Sequence, residues 1–411
     1  MKIGIIREGK TPPDARVPLT PAQCVQIQKT LLGDELKYPG LSFAIQPSPI
    51  RCFSNSEYSG AGLNIQEDLS DCDILIGVKE VPESLLIDNK TYLFFSHTIK
   101  EQPHNQKLLK SILDKNIKLV DYETLTDRTG QRVIAFGRFA GIAGAHNGLM
   151  TYGRRTGAFN LPQMIDFKDF VEAKAYYKTL KFPAFKIVLT GSGRVSNGAA
   201  EVLNAAGILR VSPKDFLSKT YQQAVYTQLD CDHYAAHNEN KGFDMDEFID
   251  HPDHFHSIFK PYAEAADLMI NGIYWDNRAP KFFSMEEMRS PLFKIKVIAD
   301  ITCDIAPQAS IPSTLFASTI IEPVFGFDPI SGTAVNPYQQ KTIDVMSIDN
   351  LPNEMPRDAS TAFGEQFIVN VLDELLGLSY TGMIERATIA DKGQLGKHYQ
   401  YLKRYAEAIP A

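Results

Sequence analysis

Lys186-Ile187-Val188-Leu189-Thr190-Gly191-Ser192-Gly193-Arg194-Val195-Ser196-Asn197-Gly198-Ala199-Ala200 reads as an apolar strand, a glycine-rich turn and a helix predicted over 199–206. A dinucleotide needs a tight turn, a backbone without side chains under its pyrophosphate, and a helix N-terminus aimed at the negative charge. Gly191 and Gly193 meet the first two needs, and Ser192, Arg194 and Val195 complete the turn. Ser196 takes the place of the usual third glycine; its small side chain still lets the helix lie near the strand. A lone G-x-G is weak evidence, and a plain turn is the competing reading, but the strand before and the helix after supply the required context. The acid for the adenosine ribose is expected roughly 20 residues further on, at the tip of the next strand. There Asp215 comes slightly late, while Arg210, Ser212 and Lys214 suit a 2′-phosphate. NAD and NADP both stay open, with a lean to NADP.

Outward from that turn, apolar runs predict strands over 2–6, 43–45, 74–78, 92–95 and 119–120, with a helix over 105–114. Thr20 and Pro21 form a helix start, with Val25 and Ile27 as its apolar stripe. Downstream, strands are expected over 266–271, 296–301 and 318–321, a polar insertion over 230–262, and a returning helix over 359–376. Glycines and alanines at 136–144 fit close helix packing better than a hinge. Strands alternating with helices imply parallel sheets. The expected fold is α/β, two Rossmann-like domains with an active-site cleft between them. Residues 1–136 with 350–411 would form a catalytic domain, and 137–349 the dinucleotide-binding domain.

The bulk numbers exclude several other classes. The chain has 411 residues, 44% hydrophobic and 22% charged, with a net charge of −7. That is ordinary globular composition without the basic excess of a nucleic-acid binder. Five cysteines without a C-x-x-C pair fit reduced thiols in the cytoplasm. No run resembles a signal-peptide core or a membrane span. Self-association is left open. His251, Asp253, His254 and His256 read as a polar surface loop, so no metal is expected. Cys303 reads as a buried, inert thiol.

Charged residues follow successive predicted strands of the first domain, where α/β sheets place ligands. Lys79 and Glu80 follow one, His97 and Lys100 the next, and Glu123 a third; Arg16 and Arg132 lie in loops. One lysine at a strand end is usually a solvated charge, but a set of this kind points to one crevice. Arginine binds carboxylates bidentately, a desolvated lysine serves as a base, and histidine moves protons near neutrality. Together these suit amine–imine chemistry on small amino-acid and 2-oxo-acid substrates.

Several segments carry a resemblance: 15–21, 45–48, 77–79, 90–100, 121–123, 132–144, 190–200, 271–275 and 347–352. The chain resembles the lysine-forming saccharopine dehydrogenases, and above all the lysine–2-oxoglutarate reductase half of the bifunctional lysine-degrading enzyme. Alanine dehydrogenase and the NAD-binding part of transhydrogenase are more distant. The resemblance implies that Lys79 takes the proton from the secondary amine and that His97 is the acid–base group of imine hydrolysis. It makes Glu80 and Glu123 carboxylates that tune those two groups, and puts Arg16, Lys100 and Arg132 near the substrate carboxylates. Asn271, Gly272 and Ile273 fall to the cofactor, and Asp300 or Asp304 to a place beside the nicotinamide. Residues 144–157 depart from the reductase pattern, which bears on the amino-acid substrate. An alanine-type dehydrogenase and a non-catalytic dinucleotide-binding protein are the alternatives.

Overall fold

The computed structural model describes residues 1–407. The chain divides into two compact units, Met1–Ala135 with Pro356–Ala411, and Phe136–Met355.

The first unit begins with β1 (Lys2–Ile5), the helix α1 (Pro21–Lys29), β2 (Ser42–Ile45), β3 (Asn64–Ile65), β4 (Ile74–Ile76), β5 (Thr91–Phe94), α2 (Gln106–Asp114) and β6 (Lys118–Asp121). Thr20 caps α1 in a capping box with Gln23, and Pro21 opens its first turn. In α2, Leu108, Leu109 and Ile112 are buried on one face. The strands are buried almost throughout, as expected of a parallel sheet covered on both faces.

The second unit opens with the long helix α3 (Gly137–Thr156). Next come β7 (Lys186–Thr190), α4 (Arg194–Ala205), β8 (Leu209–Arg210), α5 (Pro213–Ser218) and β9 (Val225–Leu229). The polar insertion follows: β10 (Ala235–His237), α6 (Met245–Asp250) and β11 (Phe255–Ser257), with β10 and β11 paired as an antiparallel hairpin. Then come β12 (Leu268–Asn271), β13 (Val297–Asp300), β14 (Val324–Asp328), β15 (Thr333–Val335) and β16 (Ile343–Met346). The chain then completes the first unit with α7 (Pro356–Asn370), β17 (Thr388–Asp391) and β18 (Gln394–Leu395).

Each unit holds an eight-stranded sheet, in the orders β18-β17-β6-β5-β4-β1-β2-β3 and β8-β9-β7-β12-β13-β16-β14-β15. Both are parallel at their centres. One edge of each is antiparallel: β17 and β18 in the first, β14 and β15 in the second. This is the expected α/β class. The strand expected over 318–321 does not form; Ser318 makes only an isolated bridge to Ile348, and Ile321 is exposed. The strand begins at Val324 instead. The helix after the glycine turn begins at Arg194, five residues earlier than expected.

The small residues before residue 144 pack rather than hinge. A Cβ on Gly141 would come 1.8 Å from the Val195 carbonyl, and one on Gly198 would come 2.1 Å from that of Arg138. The backbones of α3 and α4 therefore touch, with an Arg138–Glu201 pair across them.

Candidate active site and dinucleotide turn

Lys79, Glu80, His97, Glu123, Arg16, Lys100 and Arg132 all belong to the first unit. Lys79 and Glu80 follow β4, His97 follows β5 and Glu123 follows β6. Glu80 accepts a hydrogen bond from His97 Nδ1. That contact fixes the ring and leaves Nε2 for a substrate. Burial works against ionised Glu80, yet the His97 contact and Lys10, at 3.2 Å, hold its carboxyl down at about 2. Half-buried Lys79 is pushed below the ordinary lysine value, first by burial and then by the charges of Arg16 and Lys10. A lysine so placed gives up its proton more readily.

Glu123 joins two of the expected carboxylate-binding cations. Arg132 lies 2.7 Å from its Oε1 and Lys100 3.4 Å. Burial raises its pKa, but Lys100, Arg132 and His97 outweigh that and lower it. Its Oε2 and the Tyr122 hydroxyl are buried without hydrogen-bond partners among the described residues. Arg16 is buried in a bidentate pair with Asp14, at 2.9 and 2.6 Å.

Two groups escaped the reading of the sequence. Glu8, just beyond β1, is buried and accepts the backbone N–H groups of Val78 (2.6 Å) and Lys79 (2.8 Å). Its carboxyl therefore fixes the bend that presents Lys79. Burial pushes it up to about 8, with Asp14 adding to the effect. The same strand-end rule that found Lys79 would have found Glu8. Asp14 carries no signal until its pairing with Arg16 is seen.

The glycine turn belongs to the second unit. Gly191 has φ +93°, and a Cβ there would come 2.7 Å from Ser196 Oγ and 3.0 Å from the Gly272 carbonyl. Ser196 is buried and donates towards the Thr190 and Gly272 carbonyls, so it locks the turn where a third glycine is usual. Above Gly193 there is open space. Ser192 and Arg194 are exposed, and Val195 and Ile273 are partly buried. The cradle fits a pyrophosphate.

Strand order puts a different acid from Asp215 at the strand tip beside the glycine turn. β8 is the outermost strand, and the neighbour of β7 is β9, with Leu229 opposite Thr190. The tip beside the glycine turn is therefore Asp230, which is exposed. Asp215 instead lies in α5, paired with Lys219 at 3.1 Å. The segment β8–α5, inserted before the neighbouring strand, carried the expected spacing past its mark.

Asn271 and Asp300 form a buried network. Asn271 Nδ2 donates to Asp300 (2.9 Å), and Thr190 donates to Asn271 (2.7 Å). Thr302 and Thr314 also donate to Asp300, at 2.7 and 2.6 Å. Of the two aspartates, only Asp304 is partly exposed. Cys303 is partly buried, and burial raises its thiol to about 12. In the insertion, the ligand atoms of His237, Glu247 and His254 lie within 4.8 Å of one another, as do those of His251, Asp253 and His254. No helix among the described residues is long and apolar enough to cross a membrane.

Two sheets of this kind, one bearing a dinucleotide turn, define the class of fold seen in alanine dehydrogenase and transhydrogenase. A solved L-alanine dehydrogenase aligns with a TM-score of 0.62 at 16% identity, over 98% of this chain and 99% of that one. Transhydrogenase from Sinorhizobium meliloti aligns at 0.56 and 11% identity, over 96% and 100%. Residues 4–143 match the family described as alanine dehydrogenase/PNT, N-terminal domain. Among curated relatives, the mitochondrial alpha-aminoadipic semialdehyde synthase of Mus musculus is 29% identical over 443 residues, 96% of this chain and 47% of that protein. Saccharopine dehydrogenase (NAD(+), L-lysine-forming) of Yarrowia lipolytica is 26% identical over 351 residues, 81% of this chain and 84% of that one. The resemblance read from the sequence holds. The chain spans about half the length of the synthase.

Proposed function

We propose that this chain is a nicotinamide-dependent oxidoreductase acting on an amino-acid CH–NH bond, interconverting saccharopine with lysine and 2-oxoglutarate. The observation that carries the reading is a desolvated Lys79 among cations, next in sequence to a Glu80 that is hydrogen-bonded to His97. When bound, the dinucleotide supplies or removes the hydride.

Lys79 takes the proton from the secondary amine nitrogen in the oxidative direction and returns it in the reductive one. His97, its Nδ1 held by Glu80, passes a proton through Nε2 to the oxygen that leaves as water when lysine and the keto acid condense. Arg16, Lys100 and Arg132 bind the substrate carboxylates, which compete with Asp14 and Glu123 for them. Exposed Asp230 at the tip of β9 supports NAD over NADP, because a carboxylate there binds the ribose 2′-hydroxyl and repels a 2′-phosphate. This reverses the lean drawn from Arg210, Ser212 and Lys214.

The test is oxidation of NADH and of NADPH, followed by nicotinamide absorbance, with lysine plus 2-oxoglutarate and with pyruvate plus ammonia. Turnover is expected with NADH only when lysine and 2-oxoglutarate are both present. Turnover confined to pyruvate and ammonia would make the chain an alanine-type dehydrogenase, and a preference for NADPH would overturn the role of Asp230.

A further inference from the structure

The insertion after β9 gathers histidines and carboxylates into two groups that share His254. Their hydrogen bonds set the two groups apart. In the inner group, His237, Glu247 and His254, the Glu239 N–H donates to His237 Nδ1 at 3.0 Å, so the ring's own proton sits on Nε2. That proton goes to Glu247 Oε1, at 3.1 Å. With one nitrogen accepting and the other donating, buried His237 has no lone pair left for a cation. The inner group is complete in itself.

The outer group, His251, Asp253 and His254, is not. His254 Nδ1 lies 3.2 Å from the same Glu247 oxygen. A lone pair facing a carboxylate is repelled, so Nδ1 carries the proton and Nε2 keeps its lone pair. Among the described residues, neither the His251 ring nitrogens nor the Asp253 carboxylate makes a hydrogen bond or a salt bridge. The nearby guanidinium of Arg278 is engaged by Asp276, at 2.7 Å. The three side chains are exposed and stand on one turn. His251 closes α6, its N–H donating to the Glu247 carbonyl at 2.8 Å, and the short turn Pro252–His254 follows, with the His254 N–H on the His251 carbonyl at 3.0 Å. The two rings lie side by side, 15° from parallel, and the ligand atoms of all three residues fall within 4.8 Å of one another.

We propose that His251, Asp253 and His254 bind a zinc ion, with Glu247 and His237 behind them as the groups that orient His254. The proposal stands apart from the dinucleotide and saccharopine readings. Two imidazoles and a carboxylate suit Zn2+, whereas Ca2+ and Mg2+ take oxygen ligands. Three protein ligands leave the remaining position to water, which the exposure of the turn admits. A carboxylate on the far nitrogen is the usual companion of a zinc-bound histidine, because it fixes the tautomer and makes the ring a better donor. Glu247 fills that place, and its hydrogen bond with His254 holds its carboxyl below the ordinary value. As sequence, His251, Asp253 and His254 read as a polar surface loop; the orienting partners come from β10 and α6 and meet them only on folding. The ion fastens the end of α6 to the hairpin through Glu247 and His237.

The test is titration of the full chain, without any histidine tag, with Zn2+ against a coloured competing chelator, and thermal melting in the absence of metal as the folding control. One Zn2+ per chain is expected. Glu247→Gln keeps the shape of the orienting group and removes its charge, so it should weaken Zn2+ by about 10- to 100-fold, the usual worth of such a partner. His251→Ala and His254→Ala each remove a ligand and should weaken it by at least about tenfold. His256→Ala should leave the affinity unchanged, because that exposed ring is turned to Asn238, at 3.1 Å. Failure of wild type to take up one Zn2+ per chain, or wild-type affinity in His251→Ala and His254→Ala, overturns the site. An equal loss in His256→Ala also overturns it, since the affinity then belongs to surface histidines at large, and an unchanged Glu247→Gln overturns the orienting role.

Discussion

The task proposed for Lys79 comes from its surroundings. Its ammonium is desolvated and faces the charges of Arg16 and Lys10, so the neutral base is reached below the ordinary lysine value. In the amine-oxidising direction, activity should therefore rise with pH through that lowered value. Lys10→Met removes one repelling cation and leaves Glu80 less neutralised, and both changes favour the charged lysine. The rising limb of the pH–rate profile is expected to move to higher pH; an unmoved limb would mean that another group titrates there. Lys79→Met and His97→Gln should each cost about 10²–10⁴-fold in turnover, the usual worth of one proton-transfer group. Steady-state kinetics with both substrates saturating checks this, and near-wild-type rates in either variant would remove that residue from the mechanism. At Asp230, replacement by Ala should narrow the discrimination between NADH and NADPH, read as the ratio of their kcat/KM values.

Among the elements, the α3–α4 contact and the glycine turn answer to different glycines. Gly141→Ala places a methyl where the Val195 carbonyl already lies, so the helices must part. Overpacking of this kind costs about 1–3 kcal/mol, and thermal unfolding should report it. Gly193→Ala meets nothing within 4 Å, so melting should be unchanged, while the added methyl enters the space left for a pyrophosphate. A loss of at least about tenfold in dinucleotide affinity, or about 1.4 kcal/mol, is expected. The pair of variants separates packing from binding, and loss of stability in Gly193→Ala would refute the open cradle. The contrast also shows what was legible beforehand. Buried parallel strands such as β7 and β12 declare themselves as apolar runs, and Gly191 declares its turn because few other residues take φ +93°. The order of strands does not show in a local reading. β8 lies outside β9 because of pairing between segments distant in sequence, so the acid at the strand tip beside the glycine turn is Asp230, where local spacing pointed to Asp215. The run at 318–321 misled for a related reason: Ile321 is apolar yet exposed, and β14 begins after Pro323. The cations Arg16, Lys100 and Arg132 were visible as residues, but their carboxylate partners Asp14 and Glu123 appear only on folding.

Over the whole molecule, Glu8 and Glu354 are deeply buried carboxyls whose protons are held into the neutral range, and they shape how stability responds to pH. Glu8 in the first unit is raised from 4.5 to about 8, chiefly by burial. Glu354 in the second is raised from 4.5 to about 7, again by burial, despite hydrogen bonds from Asn147 and Gln163. Between 4.5 and those values the folded chain binds more protons than the unfolded one, so stability falls as pH rises. Each group contributes at most about 1.4 kcal/mol per pH unit within its window. Glu80 and Glu57, both held near 2, act in the opposite sense. Their stabilisation is complete above 4.5 and is lost as pH falls towards 2. The two effects together put the maximum at mildly acidic pH. Denaturant unfolding of wild type, Glu8→Gln, Glu354→Gln and the double variant from pH 5 to 9 isolates the alkaline side. Either amide places an N–H where a carboxyl oxygen accepted one and so costs stability at every pH, which makes the slope the readout. Each single variant should lose its own part of the decline, with the Glu354 part complete by about pH 7 and the Glu8 part continuing to about 8. The groups share no hydrogen-bond partner, so the changes in slope should add. An undiminished decline in the double variant would show that other groups govern it and that neither buried carboxyl keeps its proton at neutral pH.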